Sequence, residues 1–225
     1  MTPYEILINR GVTRLCHFTK FSSLTQIITS DDGILASDYI RSDVKAITDA
    51  DRYDGAPDHI SCTVEYPNSW YFKIAEQKNA DKIFRDWVVI YIDPKILNVR
   101  QAKFCPCNAG KANGGYICNK MESIESIYDE RVPMFEYNRT KSMLSCCPTN
   151  GQAEIMINHS IPPKFFIGIA VISDDMARRV YAMLKTIEFG DIPIFISPCV
   201  FTNKWSEMAR KGVRPTETLF IGAEE

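Results

Sequence analysis

The sequence contains no hydrophobic run long enough to cross a membrane. Its longest purely apolar stretch, residues 165–172 with Gly168 inside it, spans eight residues, against the ~20 that a spanning helix requires. Residues 1–15 carry Glu5, Asn9, Arg10 and Arg14 where a secretory signal would need an apolar core. An excess of charge of either sign is missing too: 26 Lys and Arg face 28 Asp and Glu, for a net charge of -2 and a pI of about 6.0. Without a global basic field, contact with a polyanion has to come from a local patch, which excludes a histone-like or tail-driven binder. Glycine and proline are modest, at 11 and 12 of 225 residues, and there is no internal repeat, Gly/Ser linker or long charge block. Collagen-like, coiled-coil and low-complexity readings therefore fall away. The expectation is one soluble, cytoplasmic domain over residues 1–225, large enough to bury about 70% of its surface without disulfide support.

The common nucleotide-binding and hydrolase signatures are absent as well. No GxGxxG or GxxxxGKS occurs, which removes the main support for Rossmann and P-loop readings, and neither a GxSxG elbow nor an HExxH helix is present. Eight cysteines are spread along the chain with no secretory context and read as thiols. Cys105, Cys107, Cys118, Cys146 and Cys147 could be drawn together around zinc, yet CxC and CC are not the CxxC spacing that supplies paired ligands to structural zinc. No metal is expected.

What is there is a mixed α+β pattern. Residues 14–19 (RLCHFT) read as a short strand feeding a helix, for which Ser23 and Gln26 have capping-box spacing and Leu24, Ile27 and Ile28 form the apolar stripe. Asp31-Asp32-Gly33 ends that helix, Ile34-Leu35 resumes an extended course, and residues 37–55 form a polar loop with Arg41, Lys45 and Arg52. Strands are expected over 59–65, 87–92, 153–157, 165–172 and 192–196, with a helical segment within 68–85 and a helix over 174–186. Residues 104–119 (FCPCNAGKANGGYICN) have no period and read as a long irregular loop.

Few polar residues sit in a context that suggests chemistry. Glu154 leads the apolar strand Ile155-Met156-Ile157, where rigid backbone can aim a carboxylate into a cleft with Gln152 projecting to the same side. A solvated edge residue fits the same pattern. His17 fits a satisfied strand histidine and a ligand contact equally. Residues 116–151 interleave Arg131, Arg139 and Lys141 with Tyr128, Phe135 and Tyr137, which suits a single strand of nucleic acid, its backbone neutralised and its bases stacked. A solvated loop with inward-packed aromatics suits it as well. Trp70 and Tyr71 read as pocket or core, and Lys111 and Lys120 as solvated.

Six pieces, taken in order, carry a resemblance: His17-Phe18-Thr19 with residues 23–28 and Gly33-Ile34-Leu35, then DADRYDG over 49–55, HISCTVEYPNSWYF over 59–72, Asn108-Ala109, and Gln152-Ala153-Glu154 with Ile155-Met156-Ile157. Together they resemble the DarT family of NAD-dependent nucleic-acid ADP-ribosyltransferases, toxins of bacterial toxin–antitoxin and anti-phage systems. The resemblance implies an α+β, ADP-ribosyltransferase-like fold with two packed sheets around a central NAD cleft and flanking helices. It implies that His17 and Thr19 hold the nicotinamide end of NAD, and that Ser23, Leu24, Ile27, Gly33 and Tyr71 flank the dinucleotide. Arg52, or Arg41 in the same polar segment, grips the diphosphate and assists catalysis, Glu154 is the catalytic glutamate, and Gln152, Arg139, Lys141 and Tyr137 face the nucleic acid. NAD is then a substrate, the acceptor is a thymine or guanine of single-stranded DNA or RNA, and the partner is an antitoxin that removes the mark or blocks the cleft. The residue types suit the chemistry: a carboxylate stabilises the oxocarbenium character of the ribose, and an arginine fork matches a diphosphate. A protein acceptor and a catalytically silent NAD-binding module are the alternatives.

Overall fold

The computed structural model describes residues 1–41, 53–78 and 85–222. Helix α1 (Pro3–Asn9) begins in a capping box. The Thr2 hydroxyl accepts the Glu5 N–H at 3.2 Å, the Glu5 carboxylate accepts the Thr2 N–H at 2.8 Å, and Pro3 occupies the first turn, where no N–H is needed. The helix stops at Gly11, whose φ of +77° lets its N–H reach Ile8 O while the Val12 N–H reaches Leu7 O.

Strand β1 (Leu15–Lys20) runs directly into α2 (Phe21–Thr29). The helix starts ahead of the Ser23–Gln26 box: Lys20 is the N-cap without a side-chain bond, and Ser23 lies inside the first turn. The reason is tertiary, because the Phe21 N–H donates to Asp86 O at 2.9 Å and so needs no hydroxyl cap. Then follow β2 (Ile34–Leu35), β3 (His59–Val64), α3 (Ser69–Lys78), β4 (Trp87–Ile92), β5 (Ala102–Cys105), β6 (Glu154–Asn158) and β7 (Ser160–Ile161). The chain continues through β8 (Phe166–Val171), α4 (Asp174–Thr186), β9 (Ile194–Ile196), α5 (Lys204–Arg210) and β10 (Thr218–Leu219).

Among the described residues, eight strands form one sheet in the order β10-β9-β8-β4-β1-β3-β6-β5, and β2 and β7 form a second, small one. Neighbours in both are antiparallel except β8 and β9. The unbroken apolar run of β4 is buried at every residue, as a strand covered on both faces should be. Helix α4 buries Met176, Ala177, Val180 and Leu184, a stripe at helical spacing, and the Ser173 hydroxyl caps it by accepting the Met176 N–H at 3.2 Å. Residues 104–119 are more ordered than expected. Phe104 and Cys105 belong to edge strand β5, and an antiparallel bridge from Phe104 to Cys118 closes the excursion between them. A four-residue strand at the end of the sheet, with a single bridge on its outer side, needs no long apolar run to form.

Candidate active site

An open cleft of about 630 Å³ lies between β1 and β3 on one side and α2 with residues 33–41 on the other, with Tyr71 of α3 and residues 108–111 at its margins. Such a volume is within the range of sites that take a cofactor-sized ligand.

Glu154 lines this cleft as the first residue of β6, where cross-strand pairing sets it opposite Thr63 of β3 and Cys105 of β5. It is only 5% exposed. A buried carboxylate needs donors, and two converge on Oε1: Asn108 Nδ2 at 3.0 Å and the Ala109 N–H at 3.1 Å. Hydrogen bonds of this kind favour the anion.

His17 lies on β1, and its Nδ1 is 3.0 Å from Ser61 O. A carbonyl can only accept, so Nδ1 carries the proton and Nε2 is the acceptor nitrogen. The ring keeps part of its surface in the cleft, yet it sits deep enough for burial to hold its pKa below the ordinary value, against the opposing pull of the Ser61 bond. At neutral pH His17 is a neutral acceptor.

The far wall rests on Gly33. Its φ is +66°, and a Cβ there would stand 2.1 Å from Ile161 O, so the chain turns from α2 into β2 at a point where only glycine fits. Thr63, on the wall beside Glu154, is 6% exposed, and its hydroxyl has no hydrogen-bond partner among the described residues. Buried hydroxyls are ordinarily bonded, so this one points to a polar ligand group. Sequence reasoning missed it, although the period-2 alternation of β3 and its pairing with β6 would set Thr63 beside Glu154 once the register is known.

Of the residues the sequence singled out, His17, Thr19, Ser23, Ile27, Gly33, Tyr71, Arg41 and Glu154 all line the cleft. Arg52 lies outside the described residues. Leu24 does not reach the cleft: it is on the inward face of α2, fully buried in the core. Gln152 does not share a wall with Glu154 either. Its N–H closes a turn on Asn150 Oδ1 at 3.0 Å, and β6 begins only at Glu154, so strand alternation does not extend back to residue 152.

The residues expected to face nucleic acid lie elsewhere as well. Arg139 donates to Cys147 O at 2.7 Å, Leu144 O at 3.0 Å and Ser145 O at 3.2 Å, clamping its own loop. Tyr137 packs edge-on against Phe135, with Arg210 of α5 4.3 Å from its ring centre, and Lys141 is exposed away from the cleft wall. Within this loop Arg139 is engaged by its own carbonyls and Phe135 and Tyr137 by Arg210 of α5, while Tyr137 and Lys141 stay exposed. Trp70 meets Trp205 edge-on at 5.9 Å, leaving Tyr71, of Trp70 and Tyr71, in the cleft.

Taken together, a buried carboxylate held by two donors, a neutral imidazole and an unpartnered hydroxyl line a cleft, with Ser23, Gln26 and Ile27 of α2 opposite. That set can orient a polar ligand and stabilise positive charge developing beside the carboxylate.

The family model described as the ssDNA thymidine ADP-ribosyltransferase DarT matches residues 16–204. No curated protein sequence matches the chain. Among solved structures, Thermus sp. 2.9 DarT in complex with ADP-ribosylated ssDNA superposes with a TM-score of 0.62 at 15% identity, covering 85% of this chain and 97% of that one. The same Thermus protein in complex with NAD+ gives 0.59 at 15% identity over 84% and 97%. Thermosipho africanus DarTG in complex with ADP-ribose gives 0.55 at 14% identity, over 84% of this chain and 51% of that one. At these identities the likeness establishes the fold, an α+β ADP-ribosyltransferase-like domain with one large and one small sheet.

Proposed function

This chain belongs to the DarT family of ssDNA thymidine ADP-ribosyltransferases, and from that membership we propose that it moves the ADP-ribosyl group of NAD+ onto a thymine of single-stranded DNA in the cleft around Glu154. The observation that carries the reading is the state of Glu154, a buried carboxylate on a cleft wall with two N–H donors on one oxygen.

In this reading NAD+ is a substrate lying along the cleft. His17, through Nε2, and Thr19 hold its nicotinamide end, Ser23 and Ile27 of α2 flank it with Gly33 and Tyr71, and an arginine of the polar segment, Arg52 or Arg41, grips the diphosphate. The bond from ribose C1′ to the nicotinamide nitrogen breaks with its electron pair leaving on nicotinamide. Positive charge develops on the ribose, and the Glu154 carboxylate stabilises it. The thymine N3, the one ring nitrogen of thymidine not bonded to sugar, forms the new bond to C1′ and releases its proton to water. In a duplex that nitrogen is engaged in the base pair, which is why the acceptor has to be single-stranded. An enzyme that marks DNA in this way endangers its own cell, so its setting is a toxin–antitoxin pair in the cytoplasm, with a partner that removes the mark or blocks the cleft.

The test is incubation of labelled NAD+ with DNA and RNA oligonucleotides each lacking one base, beside Glu154→Gln. Label on single-stranded DNA should vanish when thymine is omitted, and transfer by Glu154→Gln should fall by about 100- to 1,000-fold. Label that follows guanine, RNA or a protein acceptor overturns the substrate assignment. Label undiminished in Glu154→Gln overturns the site.

A further inference from the structure

We propose that Asn108 is a positioning residue for this reaction, holding Glu154 in one orientation and as the anion. The inference rests on the reading of Glu154 as the catalytic carboxylate.

The Asn108 carboxamide is engaged at both ends. Nδ2 donates to Glu154 Oε1 at 3.0 Å, and Oδ1 accepts the Gly110 N–H at 3.2 Å. The partners fix which end is which, because a carboxylate only accepts and a backbone N–H only donates. The bond to Gly110 is an Asx turn, so the side chain is tied to the backbone of its own loop before it meets Glu154. The same loop supplies the Ala109 N–H to the same oxygen at 3.1 Å, and Ala109 is buried.

The loop behind them is braced. The Phe104–Cys118 bridge closes its base, and Gly114, at φ +82°, packs so tightly on Asp54 that a Cβ would lie 2.6 Å from Asp54 O. Two donors on a braced loop therefore converge on one carboxylate oxygen and set the direction of the whole group, which is how a reacting geometry is held rather than searched for in each turnover.

Cys62 on β3, Cys105 on β5 and Cys107, with Lys111 near it, share this corner with Glu154. Burial holds the Cys62 thiol up, and the Cys105 thiol is held up by its bond with Cys107 and by burial. Cys107 is lowered by the same bond. All three, and the neutral His17 across the cleft, are common to wild type and an Asn108 variant and do not enter the difference between them.

Asn108→Asp separates positioning from structure. It keeps Oδ1 for the Gly110 N–H, and with it the turn, but sets a second carboxylate against Glu154 where a donor stood. Two carboxylates that close share a proton, and the apparent pKa of the pair rises. The expected result is a folded protein with Tm lower by about 3–6 °C, NAD+ affinity within about threefold, kcat at neutral pH down by about 10- to 100-fold, and an acid limb of kcat moved to higher pH by about one unit or more. Asn108→Ser keeps a turn-forming oxygen without a donor that reaches Glu154, and should lose kcat by about 10-fold with a smaller displacement of the limb. Wild-type kcat and acid limb in Asn108→Asp overturn the proposal. If that variant does not fold, wild-type kcat in folded Asn108→Ser overturns it instead. Glu154→Gln in the same assay tells the failures apart: an inactive Glu154→Gln beside an unperturbed Asn108→Asp removes the positioning role alone, whereas an active Glu154→Gln removes the catalytic reading with it.

Discussion

Replacing Gly33 with alanine probes how closely the cleft wall is built, and its cost can be split in two. The first part is backbone: at φ +66° an alanine pays for the left-handed conformation, ~1–2 kcal/mol. The second is collision. The new Cβ would stand 2.1 Å from Ile161 O, which is backbone of β7 and has no rotamer to escape into, and 3.0 Å from Pro163 Cδ. The small sheet has to move, at roughly the 1–3 kcal/mol typical of overpacking. Gly11→Ala isolates the first part, since Gly11 has φ +77° and nothing within 4 Å of where its Cβ would be. Gly11→Ala should therefore lose about 1–2 kcal/mol and Gly33→Ala about 2–5 kcal/mol. At roughly 2–4 °C per kcal/mol for a chain of this size, Gly33→Ala should melt about 2–12 °C below Gly11→Ala. Thermal unfolding by circular dichroism reads the difference, and NAD+ titration of both proteins should show weakening only for Gly33→Ala. Equal melting temperatures would refute the collision, and equal NAD+ affinities would take Gly33 off the binding wall.

Thr63→Val removes the unpartnered buried hydroxyl at constant shape, so stability should hold or rise while NAD+ affinity falls by about 2- to 10-fold; a lower Tm with unchanged affinity in calorimetry would show that the hydroxyl serves the fold. Because burial holds the folded pKa of His17 below the ~6.5 of an exposed imidazole, the unfolded chain takes up a proton the native one refuses. The stability tied to neutral His17 should be complete above about pH 6.5 and decline as pH falls from there toward the folded pKa. Urea unfolding of wild type and His17→Asn from about pH 7 to pH 5 should converge as the pH drops, and parallel curves would contradict the burial. Arg139→Lys cannot span three carbonyls and should cost about 1–3 kcal/mol with no change in affinity for single-stranded DNA. A DNA defect at unchanged stability would return Arg139 to the nucleic-acid surface.

The parts of this fold that could be read from the sequence are those whose signal is local. The run over 87–92 is apolar at every position because β4 is covered on both faces, and residues 174–186 carry both a helical stripe and the Ser173 cap, so their ends coincide with β4 and α4. The start of α2 was misread because Asp86 O, far along the chain, meets the first donor of the helix. Strand β5 was hidden in a Cys- and Gly-rich stretch because its partner, β6, lies some fifty residues on. The site divides in the same way. His17, Thr19 and Glu154 stand in short motifs and line the cleft, whereas the grip of Asn108 on Glu154 comes from the loop after β5 and the place of Thr63 on the wall from the β3–β6 register. In the basic and aromatic loop the pattern is local, but the acceptors of Arg139 and the partner of Tyr137 are set by tertiary packing.

The central place of β1 in the large sheet bears on how the chain is born. Leu15–Lys20 is synthesised before both of its sheet neighbours, β3 and β4, and β3 must in turn wait for β6. Arg14, just ahead of β1, binds Glu217 at 2.6 Å across nearly the whole chain. At about 5–20 residues per second, the stretch from His17 to Glu154 takes on the order of ten seconds to emerge. Until then the wall that carries His17 lacks its carboxylate, and before β3 and β4 have emerged β1, unpaired on both edges, is a strand that other chains can capture. A polypeptide stalled before β6 thus holds half a cleft, without Glu154.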